Sequence, residues 1–398
     1  MQEIVEHLTP LMSEITGYIY PNEIELHWGL LVVIYPYLTG LVAGAFILAS
    51  LVKVFNVREV QPTYRIALLT ALAFLIVAPL PLLAHLGHPE KSFEIFLTPN
   101  MSSAMAMFGF VYAWYLMAVL LLELWFDYRK DLILWAQKES GFKKWIYKVL
   151  SLFSTDISDA SLAFDYKASK LITLIGIPSA FLLHGYVGFI FGSIKANPWW
   201  SSVLMPIVFL FSAIVSGISL VLLIYMVITP LRRKEIDMKC LDKIASFMLY
   251  AMIVDFSLEA LDFIHRVYES EESIKILGEL VSGKLFASLI VFQLLIGMIV
   301  PLIAIAMVKI VRQVPAELRR LIYFVSALLV QVGIFSTRWN VVVGGQLFSK
   351  SFSGLTVYKM TYLGLEGLLV SIALLLLPFF ILYLLFLFFL PAEDRSLS

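Results

Sequence analysis

The chain is 398 residues long, 61% hydrophobic and only 15% charged, with a mean hydropathy of +0.91 and 29 basic against 29 acidic side chains. Soluble proteins carry about 25% charged residues, so this composition excludes a soluble globular fold; zero net charge and the lack of a basic stripe with interleaved aromatics exclude nucleic acid as a partner. A single cysteine, Cys240, excludes a disulfide framework and an iron–sulfur cluster held by this chain alone, which takes about four thiolates, and no Cys-x-x-Cys-His motif is present for a c-type haem.

The opening stretch "MQEIVEHLTPLMSEITGYIYPNEIELHW" is acidic and lacks a basic n-region and an apolar h-region. It predicts an extracytoplasmic segment over 1–27 rather than a cleavable signal peptide. Apolar runs of about 18 residues or more then recur, each long enough to span a bilayer. They do not alternate in segments of about 10 residues, as barrel strands would. The prediction is an all-α integral membrane protein with nine transmembrane helices: 28–53, 65–86, 104–126, 169–192, 203–229, 242–268, 284–311, 319–345 and 363–390. "GLVAG" in the first span (Gly40, Gly44) is a small-xxx-small pattern that lets another helix approach closely. Pro79 and Pro81 predict a kink in the second span, and Pro178, Pro206 and Pro301 do so in theirs. Between the third and fourth spans lies a polar stretch, 127–168, whose "WAQKESGFKKWIYKVL" reads as an amphipathic segment on the membrane surface.

Basic residues alternate between connections. The first loop holds Lys53, Arg58 and Arg65, the third eight Lys and Arg from Arg129 to Lys170, the fifth Arg232, Arg233, Lys234, Lys239 and Lys243, and the seventh Lys309, Arg312, Arg319 and Arg320. The second and fourth hold only Lys91 and Lys195. The positive-inside bias therefore predicts an extracytoplasmic N-terminus and a cytoplasmic C-terminus.

Two polar groups stand out within the spans. In the sixth, Asp255, Glu259, Asp262 and Arg266 follow at steps of four, three and four. That spacing puts them on one helical face, in a stripe about 16 Å long. An ionised residue at the bilayer centre costs about 2.5–3.5 kcal/mol, so the stripe is expected to face inward. Arg338, seven residues after Gln331 in the eighth span, falls at about the depth of Glu259 and Asp262, and Glu366 lies at the start of the ninth. These residues read as a proton path, an ion site or a structural ion network, with Glu123 as access at the inner end of the third span.

The second group is His27 and Trp28 opening the first span, His85 near the end of the second, and His184 and Tyr186 in the fourth. Histidine and tyrosine can both donate to a quinone carbonyl and pass protons. The alternatives are axial ligation of a b-type haem by His85 and His184, or structural histidines without a ligand.

Four separated stretches carry a family resemblance: "HWGLLVVIYPYLTGLVAGAFIL", "LGHPEKSFEIFLTPNMSSAMAMFGF", "LLHGYVGFIFGSIKANPWWSSVLMPIVFLFSAIVSG" and "RWNVVVGGQ". In order along nearly the whole chain, they resemble the NrfD-like membrane subunits, the family of the polysulfide reductase anchor. Length and the late "RWNVVVGGQ" resemble the longer branch, which includes the DsrP-type subunits of sulfite-reduction-associated (Dsr) complexes. The resemblance implies a first four-helix bundle over 28–192 with the quinone site, a second over 203–346, and a flanking helix over 363–390. Longer members usually have ten spans, and residues 1–27 are too polar to supply the missing first one.

The resemblance further implies a menaquinone-type quinone near the outer face, an extracytoplasmic ferredoxin-like iron–sulfur subunit docked there, and no haem or iron–sulfur cluster held by this chain. Carried over by position, the quinone pocket would use His27 with His184 or Tyr186; "LLHGYVG" offers both, and which faces the ring stays open. The implied function is a quinone/quinol-interacting anchor of a respiratory oxidoreductase complex in the cell membrane; proton translocation through Glu123, Asp255, Glu259, Asp262, Gln331, Arg338 and Glu366 is the functional reading of their spacing and depth, with a structural ion network as its alternative. The competing class is a secondary transporter or ion channel using the acids of the sixth span. No Gly/Pro-interrupted pair in matching halves supports it, although both halves hold four helices.

Overall fold

The computed structural model describes residues 12–98, 100, 102, 110–112, 114–269, 273–311 and 313–390. The first eleven residues of the predicted N-terminal segment and the opening of the predicted third span, 104–109, lie outside them. In lipid each backbone polar group must be satisfied within its own segment, and the apolar runs accordingly fold as helices. The first span is α1 (Leu30–Lys53). The second is α2 (Tyr64–Val77) and α3 (Leu80–His85), broken where Pro79 and Pro81 stand. The third is a π-helical stretch, Trp114–Leu121, running into α4 (Leu122–Lys138).

A short helix, α5 (Gly141–Leu150), precedes α6 (Asp159–Gly192), α7 (Met205–Leu231) and α8 (Met238–Glu269). Next come α9 (Ile274–Ser282), a second π-helical stretch (Phe286–Ile299) continuing as α10 (Val300–Ile310), then α11 (Ala316–Val342) and α12 (Leu368–Phe389). Among the described residues eight helices are long and apolar enough to cross a membrane. The protein is a multi-pass integral membrane protein.

Two boundaries differ most from the sequence reading, for one reason. α4 runs to Lys138 instead of 126, and α6 starts at Asp159 instead of 169. Hydropathy marks only lipid contact, whereas polar helix ends are held by specific partners. Ser158 caps α6, its hydroxyl accepting from the Ser161 N–H (3.4 Å). Arg129 of α4, buried, donates to Asp165 Oδ2 (2.7 Å), Ser154 Oγ (3.1 Å), Asp156 O (2.8 Å) and Ser161 Oγ (2.5 Å). α5 exposes stacked Phe142 and Trp145 and buries Tyr147, whose hydroxyl donates to Phe388 O at the end of α12 (3.0 Å).

α1 is the centre of the fold: 89% of its apolar window is buried inside the protein, against 17% for α12. It packs on α2, α6, α7 and α11, while α12 lies against α2 and α1. The partner that "GLVAG" anticipates is α7. A Cβ on Gly44 would sit 2.1 Å from Ala213 O and 2.8 Å from Gly217 Cα, so the two backbones touch. At the face carrying the N-terminal segment, β1 (Thr16–Gly17) pairs antiparallel with β2 (Gly354–Leu355). Gln346 clasps Trp28 in both directions, accepting from its N–H (3.1 Å) and donating to its C=O (2.9 Å).

Candidate functional site

Four helices converge on one buried polar seam. His184 stands on α6 eight residues before its end, roughly 12 Å along the helix. Both His184 and Arg338 are fully buried. Arg338 Nη2 lies 3.1 Å from His184 Nε2 and donates to Ser212 Oγ of α7 (2.7 Å). On the other side of the ring, Thr39 Oγ1 of α1 lies 3.3 Å from Nδ1 and donates to Tyr35 O (3.1 Å). A guanidinium has no acceptor, so Nε2 must accept from Arg338. Nδ1 then carries the ring proton and donates to Thr39, whose own hydrogen is already committed to the backbone.

Phe209 supports both groups: its ring stacks on His184 at 5.7 Å, and the Arg338 guanidinium lies 4.2 Å above it. Gly40 makes the room, because a Cβ there would come within 3.1 Å of the imidazole.

The acids of α8 face this seam from the other side, and they diverge. Asp255 is fully buried and lies within electrostatic reach of Arg338. Neither of its oxygens has a hydrogen-bond partner among the described residues, and the same holds for Arg338 Nε and Nη1. Glu259 accepts from Gln293 Nε2 (3.1 Å), and Gln293 Oε1 accepts from Asn340 Nδ2 (2.7 Å). Asp262 accepts from the Ser202 hydroxyl. The Arg266 side chain lies outside the described part. Buried polar atoms without partners are costly and rare, and their concentration between α8 and α11 marks a place where a charge or proton can be handled.

Gln331 sits about two turns before Arg338 on α11 and ties three helices together. Its Oε1 accepts from the Tyr37 hydroxyl (2.6 Å), and its Nε2 donates to Ser216 O (2.7 Å) and Ser219 Oγ (2.6 Å). With Ser212, these serines form a polar ladder on α7 from Arg338 to Gln331.

Glu123 belongs to a separate cluster at the opposite face. It accepts from Thr173 (2.8 Å), and the Tyr64 hydroxyl lies 3.3 Å away while also donating to Asp127. Asp127 is held by Lys53 (2.5 Å) and Ser169 (3.0 Å).

The residues predicted for the quinone pocket have different neighbours. His27 is exposed at the N-terminal face. Trp28 stacks on Trp200 (5.4 Å) and meets Phe191 edge-on (5.9 Å). His85 pairs with Glu366 (3.0 Å), which joins a residue read as quinone-binding to one read as part of the proton path. Tyr186 is half-buried and lies within electrostatic reach of buried Tyr35. The sequence reading missed Thr39, Ser212, Gln293 and Asn340. The signal available for them was hydroxyl or amide side chains inside apolar spans, which is weak because such residues often bond only their own helix.

Both ring nitrogens of His184 are engaged by side chains, which leaves neither for an axial bond to iron. Among the described residues no group of three or more His, Cys, Asp or Glu is placed to hold a metal ion. Compared with known proteins, the chain is similar to a selenate reductase subunit of Mesobacillus selenatarsenatis, with 29% identity over 83% of this chain and 75% of that one. It is also similar to the Hdr-like menaquinol oxidoreductase integral membrane subunit of Archaeoglobus fulgidus, with 23% identity over 86% of this chain and 77% of that one. Protein NrfD of Escherichia coli matches at 27% identity over 50% of this chain and 59% of its own length. The family described as "Polysulphide reductase, NrfD" matches residues 21–350, and with that most of the chain, motifs and helical core included, belongs to this family of membrane subunits.

Proposed function

We propose that the chain is the quinone-interacting membrane subunit of a respiratory oxidoreductase complex. In this reading it exchanges electrons between a menaquinone-type quinone and an extracytoplasmic iron–sulfur subunit at the N-terminal face, with the C-terminus in the cytoplasm. Family membership and relatives named as reductase and menaquinol oxidoreductase subunits support the class. The observation that carries the mechanism is the 3.1 Å contact between His184 and Arg338, which joins the first four spans to the acids of α8.

A quinone needs hydrogen-bond donors at its carbonyl oxygens, and the residues at this end fit that need. Tyr186 and Tyr35 are phenol donors, and His27 is an exposed imidazole beside the Trp28 indole. When bound, the quinone supplies two-electron, two-proton chemistry.

The chain's own part is to position the ring and to move protons. Tyr186, two residues from His184 on α6, hands protons toward the seam. His184 keeps its Nδ1 proton on Thr39 and takes one at Nε2 when Arg338 withdraws from that nitrogen, its bond to Ser212 retained. Arg338 holds negative charge on Asp255 and Glu259 as the proton arrives. Glu366 relays through His85 at the surface, and Glu123 with Asp127 forms the corresponding exit cluster at the opposite face.

The test is quinol oxidation by purified complex carrying His184→Ala or Tyr186→Phe. A drop of about 10²-fold or more is expected from loss of a positioned proton carrier. Normal turnover in both variants rejects the site. In liposomes, Asp255→Asn and Glu259→Gln should lower the protons moved per quinol; an unchanged ratio reduces these acids to a structural network.

A further inference from the structure

The two sets of four spans repeat one plan. Residues 39–44 of α1 read "TGLVAG" and residues 212–217 of α7 read "SAIVSG", and their closing glycines, Gly44 and Gly217, touch each other. Thr39 contacts His184 of α6, and Ser212 contacts Arg338 of α11, the fourth helix of its own set. The third span of each set carries a π-helical stretch, a distortion frequent at functional sites. Two residues beyond His184 stands Tyr186; two residues beyond Arg338 stands Asn340. Asn340 therefore holds in the second set the place that Tyr186 holds in the first.

Asn340 lines a cavity of about 420 Å³ between α8, the π-helical stretch, α11 and the start of α7. That volume suits one ring system of a small ligand. Phe256, Leu294 and neighbouring apolar side chains form its wall, and Glu259, Asp262, Gln293, Thr337 and Asn340 supply the polar groups, the Thr337 hydroxyl donating to Gly333 O (3.1 Å). The hydrogen bonds among these groups run in one direction. Asn340 donates to Gln293, Gln293 donates to Glu259, and Ser202 donates to Asp262. Each amide thereby spends one of its two N–H donors within the chain. Asn340 Oδ1 and Glu259 Oε1 remain as buried acceptors without a partner among the described residues.

An apolar-walled cavity lined by two acids and an amide oxygen without a partner favours a ligand that brings donors, and the acids repel an anionic head group. We infer that this cavity is a second amphiphile site, counterpart of the Tyr186 site, which takes a neutral ring bearing hydroxyl groups, as in a quinol. It shares Glu259 with the proposed proton path but not Tyr186 or His27, and is tested separately from the quinone site at those residues.

Purified complex is titrated anaerobically with 2-heptyl-4-hydroxyquinoline N-oxide, whose fluorescence is quenched on binding. Wild type should bind a second equivalent beyond the first. Leu294→Trp and Ala260→Phe, which fill the cavity, should each weaken one equivalent at least tenfold and leave the other unchanged. His27→Ala with Tyr186→Phe should affect only the other. Menadiol should compete at the cavity at least tenfold better than its dimethyl ether, which has the same ring without donors.

Protection of Cys240 from maleimide confirms that each variant is folded. A single equivalent indifferent to both cavity-filling substitutions overturns the site. Equal competition by the dimethyl ether overturns the ligand class, since acceptor groups would then play no part in recognition.

Discussion

Arg338 reaches from α11 to His184 on α6 and places one donor 3.1 Å from Nε2, while both residues are fully buried. The contact joins α6 to α11 beside the acids of α8. Lysine cannot fully replace Arg338, because an ammonium lacks the planar guanidinium that stacks on Phe209.

Replacing Arg338 by Met removes the cation facing Asp255 and Glu259. Leaving a buried charge uncompensated costs about 3–5 kcal/mol. Thermal unfolding in detergent should show that loss, and Arg338→Lys should recover only part of it. Cys240, the chain's single cysteine and fully buried, reports unfolding directly through maleimide labelling. Equal midpoints for wild type and Arg338→Met would remove Arg338 from the core electrostatics.

Gly44 has no room for a side chain. A Cβ would fall 2.1 Å from Ala213 O, on backbone that cannot step aside. Gly44→Val is expected to cost at least about 3 kcal/mol by overpacking and to abolish the folded yield. Gly278 in α9 is the control: a Cβ meets nothing within 4 Å. Gly278→Ala should raise stability by about 0.5–1 kcal/mol through helix propensity. Cys240 labelling against temperature reads both.

Arg129 holds the α4–α6 corner through Asp165, Ser154, Ser161 and the Asp156 carbonyl. Arg129→Met strands Asp165 and should cost about 3–5 kcal/mol. The same change should expose the 150–158 connection to limited proteolysis. A variant as protease-resistant as wild type would show that Ser158 capping alone holds the corner.

Asp156, outside the membrane-spanning helices, has its carboxyl pushed below the ordinary aspartate range by hydrogen bonds from the Ser158 backbone and side chain. A depressed carboxylate contributes stability that is present above its unfolded value and fades as pH falls through its folded one. Corner protection against protease should therefore weaken only on acidification below about pH 4. Ser158→Ala should move that onset upward; an unmoved onset would assign the acid sensitivity to other groups.

His85 and Glu366 form a partly exposed pair. Such pairs contribute about 0–1 kcal/mol, so Glu366→Gln should leave the unfolding midpoint nearly unchanged. Under the proposed function it slows proton exchange at the N-terminal face, read as a lowered quinol oxidation rate at saturating quinol. A stability loss above that range would instead make Glu366 a structural residue.

Much of the fold is legible in the sequence because lipid imposes a single rule. Runs such as 203–229 or 363–390 must be helices, and Gly40 and Gly44 must face another helix. The helix ends escaped that reading. Residues 127–138 and 159–168 are polar, and only Arg129, with partners up to 36 residues away, shows why they stay helical. The spacing of Asp255, Glu259 and Asp262 put them on one face, yet it could not say that each finds a different neighbour: Arg338, Gln293 and Ser202.

By itself, the sequence determined the solvent, the helical class, the family and the inward turn of the acid stripe, since these follow from transfer energies and local periodicity. Only the tertiary structure decided that His184 is a partner of Arg338, and that Gln331 is a partner of Tyr37 and Ser216. Those relations join residues more than a hundred positions apart, and the α1–α7 glycine contact that sets their distance is a property of packing that no local pattern encodes.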